Sequence, residues 1–281
     1  MPVAVLPPKS SGRTSMKTVL VTGSTDGIGK ATAKALAEQG CEVILHGRNE
    51  ARAKSAQRDL IAATHNPNIR TVSADFSSLS QVRDMAKEIN DLPKLDVLIN
   101  NAAIATNHRT LTEDGFESTF GINHLAPFLL TNLLLDLLQD SAPARIVNVS
   151  SGAHTSGHID LDDLNMTRNF DGWGAYCNSK LANALFTCEL ASKLDPNLVT
   201  ANFLHPGVIE TKLLHVNFSG GSPVESGAET PVHLALAPEV ARVTGRYFVN
   251  RRQTPASSVV DDRHLAAELW RVSTELTGLE T

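Results

Sequence analysis

From residue 18 onward, short apolar runs alternate with longer amphipathic ones. Residues 18–21, 43–45, 69–73, 95–99, 145–149, 199–204 and 247–249 are apolar stretches of strand length, several of them β-branched. Run 95–99 is apolar on both faces, as a buried parallel strand must be. Between these runs the apolar residues recur at helical spacing. An Ala-rich helix over 30–39 stops at Gly40, and Asn49 is placed to cap the charged helix that follows. Ser78-Leu79-Ser80-Gln81 has the form of a capping box, opening a helix to about residue 91. A long helix is expected over 112–138, closed off by Pro143, another over 176–194 with Leu181, Leu185, Phe186, Leu190 and Leu194, and a last one over 261–276. Strands alternating with helices of this length predict an α/β fold with a doubly wound parallel sheet, a single domain of about seven strands over residues 16–281. The Ser-, Gly- and Pro-rich stretch around 212–231 is the one long irregular piece, and is expected to be a substrate loop.

Composition excludes some functions. At 42% hydrophobic and 20% charged residues, the chain of 281 residues has the make-up of an ordinary soluble protein. A net charge of −5 argues against a general nucleic-acid or anionic-membrane surface. Three cysteines, Cys41, Cys177 and Cys188, show no metal-ligand spacing and read as reduced thiols, hence a cytoplasmic protein. Residues 1–15, with Pro2, Pro7 and Pro8, hold too short an apolar piece for a signal peptide or membrane anchor. They are expected to form a disordered extension, with Met16 a candidate start.

The unusual residues fall at the carboxyl ends of the strands, where such sheets bind ligands. The turn Gly23-Ser24-Thr25-Asp26-Gly27-Ile28-Gly29 lies between strand one and its helix, where backbone N–H groups and the helix dipole favour a pyrophosphate. Its spacing is not GxGxxG, and glycine turns also serve tight packing alone. Strand two ends in His46-Gly47-Arg48-Asn49, without the acid that holds a ribose 2′-hydroxyl. Arg48 suits a 2′-phosphate, because a guanidinium binds phosphate oxygens in a planar fork; a solvated arginine is the alternative. Tyr176 and Lys180 share one face of their helix. An ammonium about 4 Å from a phenol is worth about 4 kcal/mol at an effective dielectric near 20, or roughly three pKa units, enough to make tyrosine a usable general acid–base. Tyr-x-x-x-Lys also occurs in many helices by chance.

Together, Thr22-Gly23-x-x-x-Gly27-Ile28-Gly29, Asn100-Asn101-Ala102-Ala103, Ser151, Tyr176-x-x-x-Lys180 and Pro206-Gly207 closely resemble the short-chain dehydrogenase/reductase family, whose fold is Rossmann-type. The runs 111–117, 123–128 and 179–183 resemble its retinol-dehydrogenase-like and WW-domain-oxidoreductase-like branch, as does the 25-residue separation of Ser151 from Tyr176. The resemblance implies that Tyr176 is the proton donor–acceptor, that Lys180 lowers its pKa and bonds the nicotinamide ribose, that Ser151 holds the substrate oxygen and that Asn123 supports a proton relay. It implies an adenine contact at Asp75 and Phe76, cofactor contacts from Asn101, Ala102 and Ala103, and a carboxamide-holding turn at Pro206, Gly207, Val208 and Thr211. Ala103 stands where the family most often has glycine. Asp26 stands where some NADP-dependent members carry a basic residue.

The reading is therefore an NADP(H)-dependent enzyme, NAD(H) being the weaker alternative, that interconverts an alcohol and an aldehyde or ketone, with reduction the working direction. A retinoid or other lipophilic carbonyl comes by analogy from the branch. So does a homodimer or homotetramer paired through helices 112–138 and 176–194. A catalytically silent cofactor sensor would show a broken Ser–Tyr–Lys set, and a Ser–Lys hydrolase using Ser151 would show a GxSxG elbow. Ser150 competes with Ser151 as the catalytic serine. Trp173 and Phe170 are either core or pocket floor. His124, His154 and His205 have no metal-ligand spacing.

Overall fold

The strands bury both of their faces, and this dictates the layering. In the computed structural model, which describes residues 16–216 and 218–280, β1 (Thr18–Val21) sends Val19 and Val21 to one side of the sheet and Leu20 to the other, all fully buried. The same alternation holds in β4 (Val97–Asn100) and β5 (Ala144–Val149), whose Leu98 and Ile146 join Leu20 while Ile99 and Val147 join Val21. Two apolar cores result, one on each face, with helices over both. β2 (Glu42–Gly47), β3 (Ile69–Ser73), β6 (Val199–His205), β7 (Tyr247–Val249) and β8 (Arg252–Gln253) complete the sheet, in the order β3-β2-β1-β4-β5-β6-β7-β8. All neighbours pair in parallel except β7 and β8. The parallel sheet was expected; β8, two exposed residues at the edge, was not. The extension expected over 1–15 lies outside the described residues.

α1 (Gly27–Glu38) begins three residues before the expected Lys30, because Asp26 caps it at Gly27 N–H. α2 (Glu50–Thr64) is capped as expected, Asn49 accepting from Arg52 N–H at 3.2 Å. The capping box is not formed at α3 (Leu79–Asn90). There the Asp114 carboxylate accepts from Leu79 N–H at 2.8 Å, while Gln81 turns back to accept from Asp75 N–H.

The helix expected over 112–138 is corrected in three ways. Residues 112–117 form a turn, closed by Thr112 N–H donating to Phe116 C=O at 2.8 Å. Helix α4 (Ser118–Phe120) starts only where the buried Glu117 carboxylate accepts from both Thr119 and Phe120 N–H. It opens at once into a π-helical turn, Gly121–Leu125, before α5 (Ala126–Leu133) and, after a break at Leu134, α6 (Leu135–Asp140). α7 (Gly172–Lys193) starts earlier than residue 176, at the Asp171 cap. The irregular stretch is also shorter than expected: from Val224 it is helix, α8 (Val224–Leu236), with Pro231 inside it.

The last helix, α9 (Arg263–Thr277), packs along α7. Leu269 is buried against the cluster containing Leu181 and Leu185 of α7. The Trp270 ring meets Phe128 edge-on at 5.0 Å, and Ser273 Oγ lies 2.9 Å from His124 Nε2. The outer side of α7 is thus covered by the chain's own C-terminal helix. No helix among the described residues is long and apolar enough to cross a membrane. Leu269→Ala should cost about 2–5 kcal/mol of unfolding free energy, read in a urea titration; a loss under 1 kcal/mol would show that α9 packs loosely.

Candidate active site

The strand order reverses between β1 and β4, and the two chains leaving these strands diverge around a crevice. Thr22 fixes their spacing. Its hydroxyl accepts from Asn101 N–H at 2.9 Å and Ala102 N–H at 3.0 Å. The Asn101 amide in turn donates to Thr22 C=O at 2.9 Å and to Gly23 C=O at 3.2 Å. The approach is so close that only glycine fits the turn: a Cβ on Gly29 would stand 2.3 Å from Gly23 O, and one on Gly23, at φ +64°, 2.8 Å from Ala102 Cα.

His46, at the end of β2, holds the turn from the other side. Its Nδ1 accepts from Gly23 N–H at 3.0 Å, so the ring proton is on Nε2, which lies 3.0 Å from Ala74 C=O. Burial brings its pKa down to about 4, and Phe76 stacks on the ring at 4.4 Å. Ser24 was expected to touch the cofactor. Instead it is fully buried beneath the turn, bonded to the His46 backbone through both its N–H and its hydroxyl. Thr25, Asp26, Gly27 and Ile28 do face the crevice.

The crevice has a volume of about 800 Å³, ample for an extended ligand. Arg48, Asp75 and Phe76 lie at one end, Asn101, Ala102 and Ala103 along the floor, and Tyr176, Lys180, Pro206 and Thr211 at the other end. Arg52, four residues after Arg48 and one helical turn into α2, also lines it; that spacing was readable in the sequence and was missed. Besides Ser24, five expected residues fall outside the lining, Asn49, Gly207, Val208, Asn123 and Ser151, whereas Ser150 is part of it. Asn49 caps α2, Gly207 turns the chain at φ +99°, and Val208 is 56% exposed, its carbonyl accepting from Ser222 N–H.

At the far end α7 places Lys180 Nζ 5.5 Å from the centre of the Tyr176 ring and 3.1 Å from Val149 C=O, to which it donates. The expected effect of lysine on tyrosine is outweighed here. Burial raises the Tyr176 phenol to about 12, against a partial lowering by the Ser151 hydroxyl, and brings Lys180 down to about 8. Desolvation opposes charge on both groups. The two serines separate: Ser150 is buried and donates to Lys180 C=O at 2.9 Å, whereas Ser151 lies beside the phenol. Asn123 sits in the π-helical turn, a local opening common at functional sites. It lies behind the crevice, clamping Ile104 through both N–H and C=O and donating to Ser179 Oγ at 3.0 Å. Trp173 is not core: 36% exposed, its ring stacks on Tyr176 at 5.7 Å and meets Phe218 edge-on at 5.1 Å. His154 is committed to Ser151 C=O and Ser257 N–H.

A glycine cradle at a helix start, a basic end and a tyrosine–lysine end fit a dinucleotide with a small molecule beside it. Comparison with known proteins agrees. A family model described as short chain dehydrogenase matches residues 17–220. The chain belongs to the short-chain dehydrogenase/reductase family. Retinol dehydrogenase 13 of Homo sapiens is 44% identical over 282 residues, covering 94% of this chain and 85% of its own length. Retinol dehydrogenase 14 of Homo sapiens is 42% identical over 292 residues, covering 94% and 87%. Among solved structures, a putative uncharacterized protein from Mycobacterium paratuberculosis superposes with a TM-score of 0.79 at 34% identity, covering 94% of each chain. As a short-chain dehydrogenase/reductase of this retinol-dehydrogenase-like kind, the protein is an NAD(P)-linked oxidoreductase acting on CH–OH groups.

Gly29→Ala should leave far-UV circular dichroism unchanged and weaken dinucleotide binding at least about tenfold in a fluorescence titration, since the methyl must push the turn off Asn101. Unchanged affinity would show that the turn does not hold the cofactor.

Proposed function

We propose that the protein is an NADP(H)-dependent carbonyl reductase with Tyr176 as its general acid. One observation carries the chemistry: the buried Tyr176 phenol lines the end of the crevice with Lys180 Nζ 5.5 Å from its ring centre, and burial pushes its pKa up. Such a phenol keeps its proton at neutral pH and can give it away only to a base stronger than water, which an oxygen gaining negative charge becomes. Reduction of a carbonyl makes that oxygen. Oxidation would start from the phenolate, which burial disfavours.

The glycine turn, Asn101 and Lys180 would hold a nicotinamide cofactor, which when bound would supply a hydride. Ser151 would donate to the carbonyl oxygen, and Tyr176 would deliver its proton there as the alkoxide forms. Lys180, with a pKa near 8, is mostly charged at pH 7 and presents its ammonium beside the phenol ring. Its charge stabilises the phenolate left behind. Asn123 holds Ile104 and, through Ser179, the Tyr176 carbonyl, and so keeps the start of α7 in register with the floor. The preference for NADP(H) rests on Arg48 and Arg52, which line the crevice at the end of β2, where the sequence offers no carboxylate between Gly47 and Asn49.

A lipophilic substrate is favoured by the exposed aromatic pair beside Tyr176, Trp173 and Phe218, the latter 52% exposed. The relatives' name, retinol dehydrogenase, points the same way.

Tyr176→Phe should keep NADPH affinity within about twofold and lose turnover by a factor of about 10²–10⁴, measured against a panel of lipophilic aldehydes; near-normal turnover would remove Tyr176 from the chemistry. Arg48→Glu should abolish the preference for NADPH over NADH in equilibrium titrations, and a preference that survives would make Arg48 a surface residue only.

A further inference from the structure

The crevice carries a negative charge where a phosphate-binding site should not. Asp26 lines it one residue after Thr25, whose methyl packs on Gly47, the residue before Arg48. The Asp26 carboxylate stands at the start of α1, in the same crevice as Arg48 and Arg52. One oxygen accepts from Gly27 N–H at 2.9 Å as the cap of α1. The other is bound by Lys212 Nζ at 2.5 Å. Lys212 arrives from the strap after β6, 186 residues away in the chain, and this ammonium is the largest cause of the carboxylate's depressed pKa. With side chains 90% and 65% exposed, the pair contributes little to stability. Its effect is electrostatic and local. The other cation on the same helix turn, Lys30, is already held by Asp59 at 2.8 Å.

We propose that Lys212 is a cofactor-specificity residue: by pairing with Asp26 it cancels the one carboxylate at the glycine turn and so permits binding of a cofactor bearing an extra phosphate. The proposal rests on the reading of Arg48 and Arg52 as the 2′-phosphate end. A phosphate monoester adds a charge of about −1.5 to −2 at neutral pH. An uncompensated carboxylate therefore penalises NADPH more than NADH, although both carry the pyrophosphate. One contact holds the strap beside the turn, and a bridge within the strap closes it on itself. A short parallel bridge ties Val208, Ile209 and Glu210 to Ser222, and the Thr211 methyl lies against Gly27.

The test is a double-mutant cycle read by fluorescence titration of NADPH and NADH at low salt, with wild type, Lys212→Ala, Asp26→Asn and the double variant, each checked by circular dichroism. Lys212→Ala should raise the NADPH Kd about three- to tenfold, what a unit charge and a phosphate roughly 10 Å apart exchange in a water-filled cleft, and the NADH Kd by less. The double variant should return NADPH affinity to within about twofold of Asp26→Asn alone, because the lysine then has no charge to cancel. The effect should shrink at high salt. Equal losses for both cofactors, no loss, or no recovery in the double variant would overturn the role of Lys212 while leaving the NADP(H) reading intact. A wild type that binds NADH as well as NADPH would overturn both.

Discussion

The Thr22 hydroxyl is the point on which the site depends. It accepts two backbone N–H groups from the chain leaving β4, and Asn101 returns two hydrogen bonds to the chain leaving β1. Parallel strands need no such contact; they are spaced by the sheet. The loops beyond them diverge at the topological switch and would otherwise be free to close or splay. The knot sets the floor of the crevice at a fixed height, and the price is a turn that excludes every side chain at Gly23 and Gly29. His46 adds a second clamp from β2, and its low pKa follows from the same burial that makes the clamp rigid. The cradle is thus preorganised by neutral hydrogen bonds within the fold, leaving the start of α1 to face the ligand.

The chemistry at the other end comes from desolvation rather than from one attractive pair. Tyr176 and Lys180 are both withdrawn from water by α7, the sheet and the Trp173 ring. Burial pushes the phenol up and the ammonium down, the reverse of what charge attraction alone would do. On the proposed reading, a tyrosine that holds its proton and a lysine that stays mostly charged at pH 7 suit proton donation. Ser151, alongside, supplies the polar contact that the apolar walls lack. Buried polar groups of this kind carry function when each is engaged, as Ser150, Ser179 and Asn123 are in the layer behind.

Much of this was legible in the sequence because it is local. Seven parallel strands, the Asn49 cap, the shared helical face of Tyr176 and Lys180, and the glycine turn are all set by neighbours a few residues away. What the sequence hid is set by distant partners. Asp114 caps α3 across 35 residues, so the local Ser-x-x-Gln pattern never closes. Glu117 delays the start of α4, and a π-helical turn then interrupts a run that reads as continuous helix. Residues 224–231, rich in loop formers, become helix because Gly227 lets α8 pack on Ile28 and Ile209, where a Cβ would stand 2.9 Å from each. Ser24 reads as a ligand contact by its place in the turn, yet the turn folds over it. No pattern within α7 announces that α9 packs along it. At Tyr176, distance along a helix shows the neighbour but not the loss of water that pushes the phenol up.

The central claim is that this crevice delivers a hydride and the Tyr176 proton to one carbonyl. It is tested most directly with NADPH deuterated at C4 of the nicotinamide and a lipophilic aldehyde such as retinal, by mass spectrometry of the alcohol formed. The account predicts one deuterium on the carbinol carbon for one of the two C4 epimers, with NADPH consumed in equal amount. Alcohol without deuterium from either epimer, or no alcohol from any carbonyl offered while NADPH binds, would contradict it.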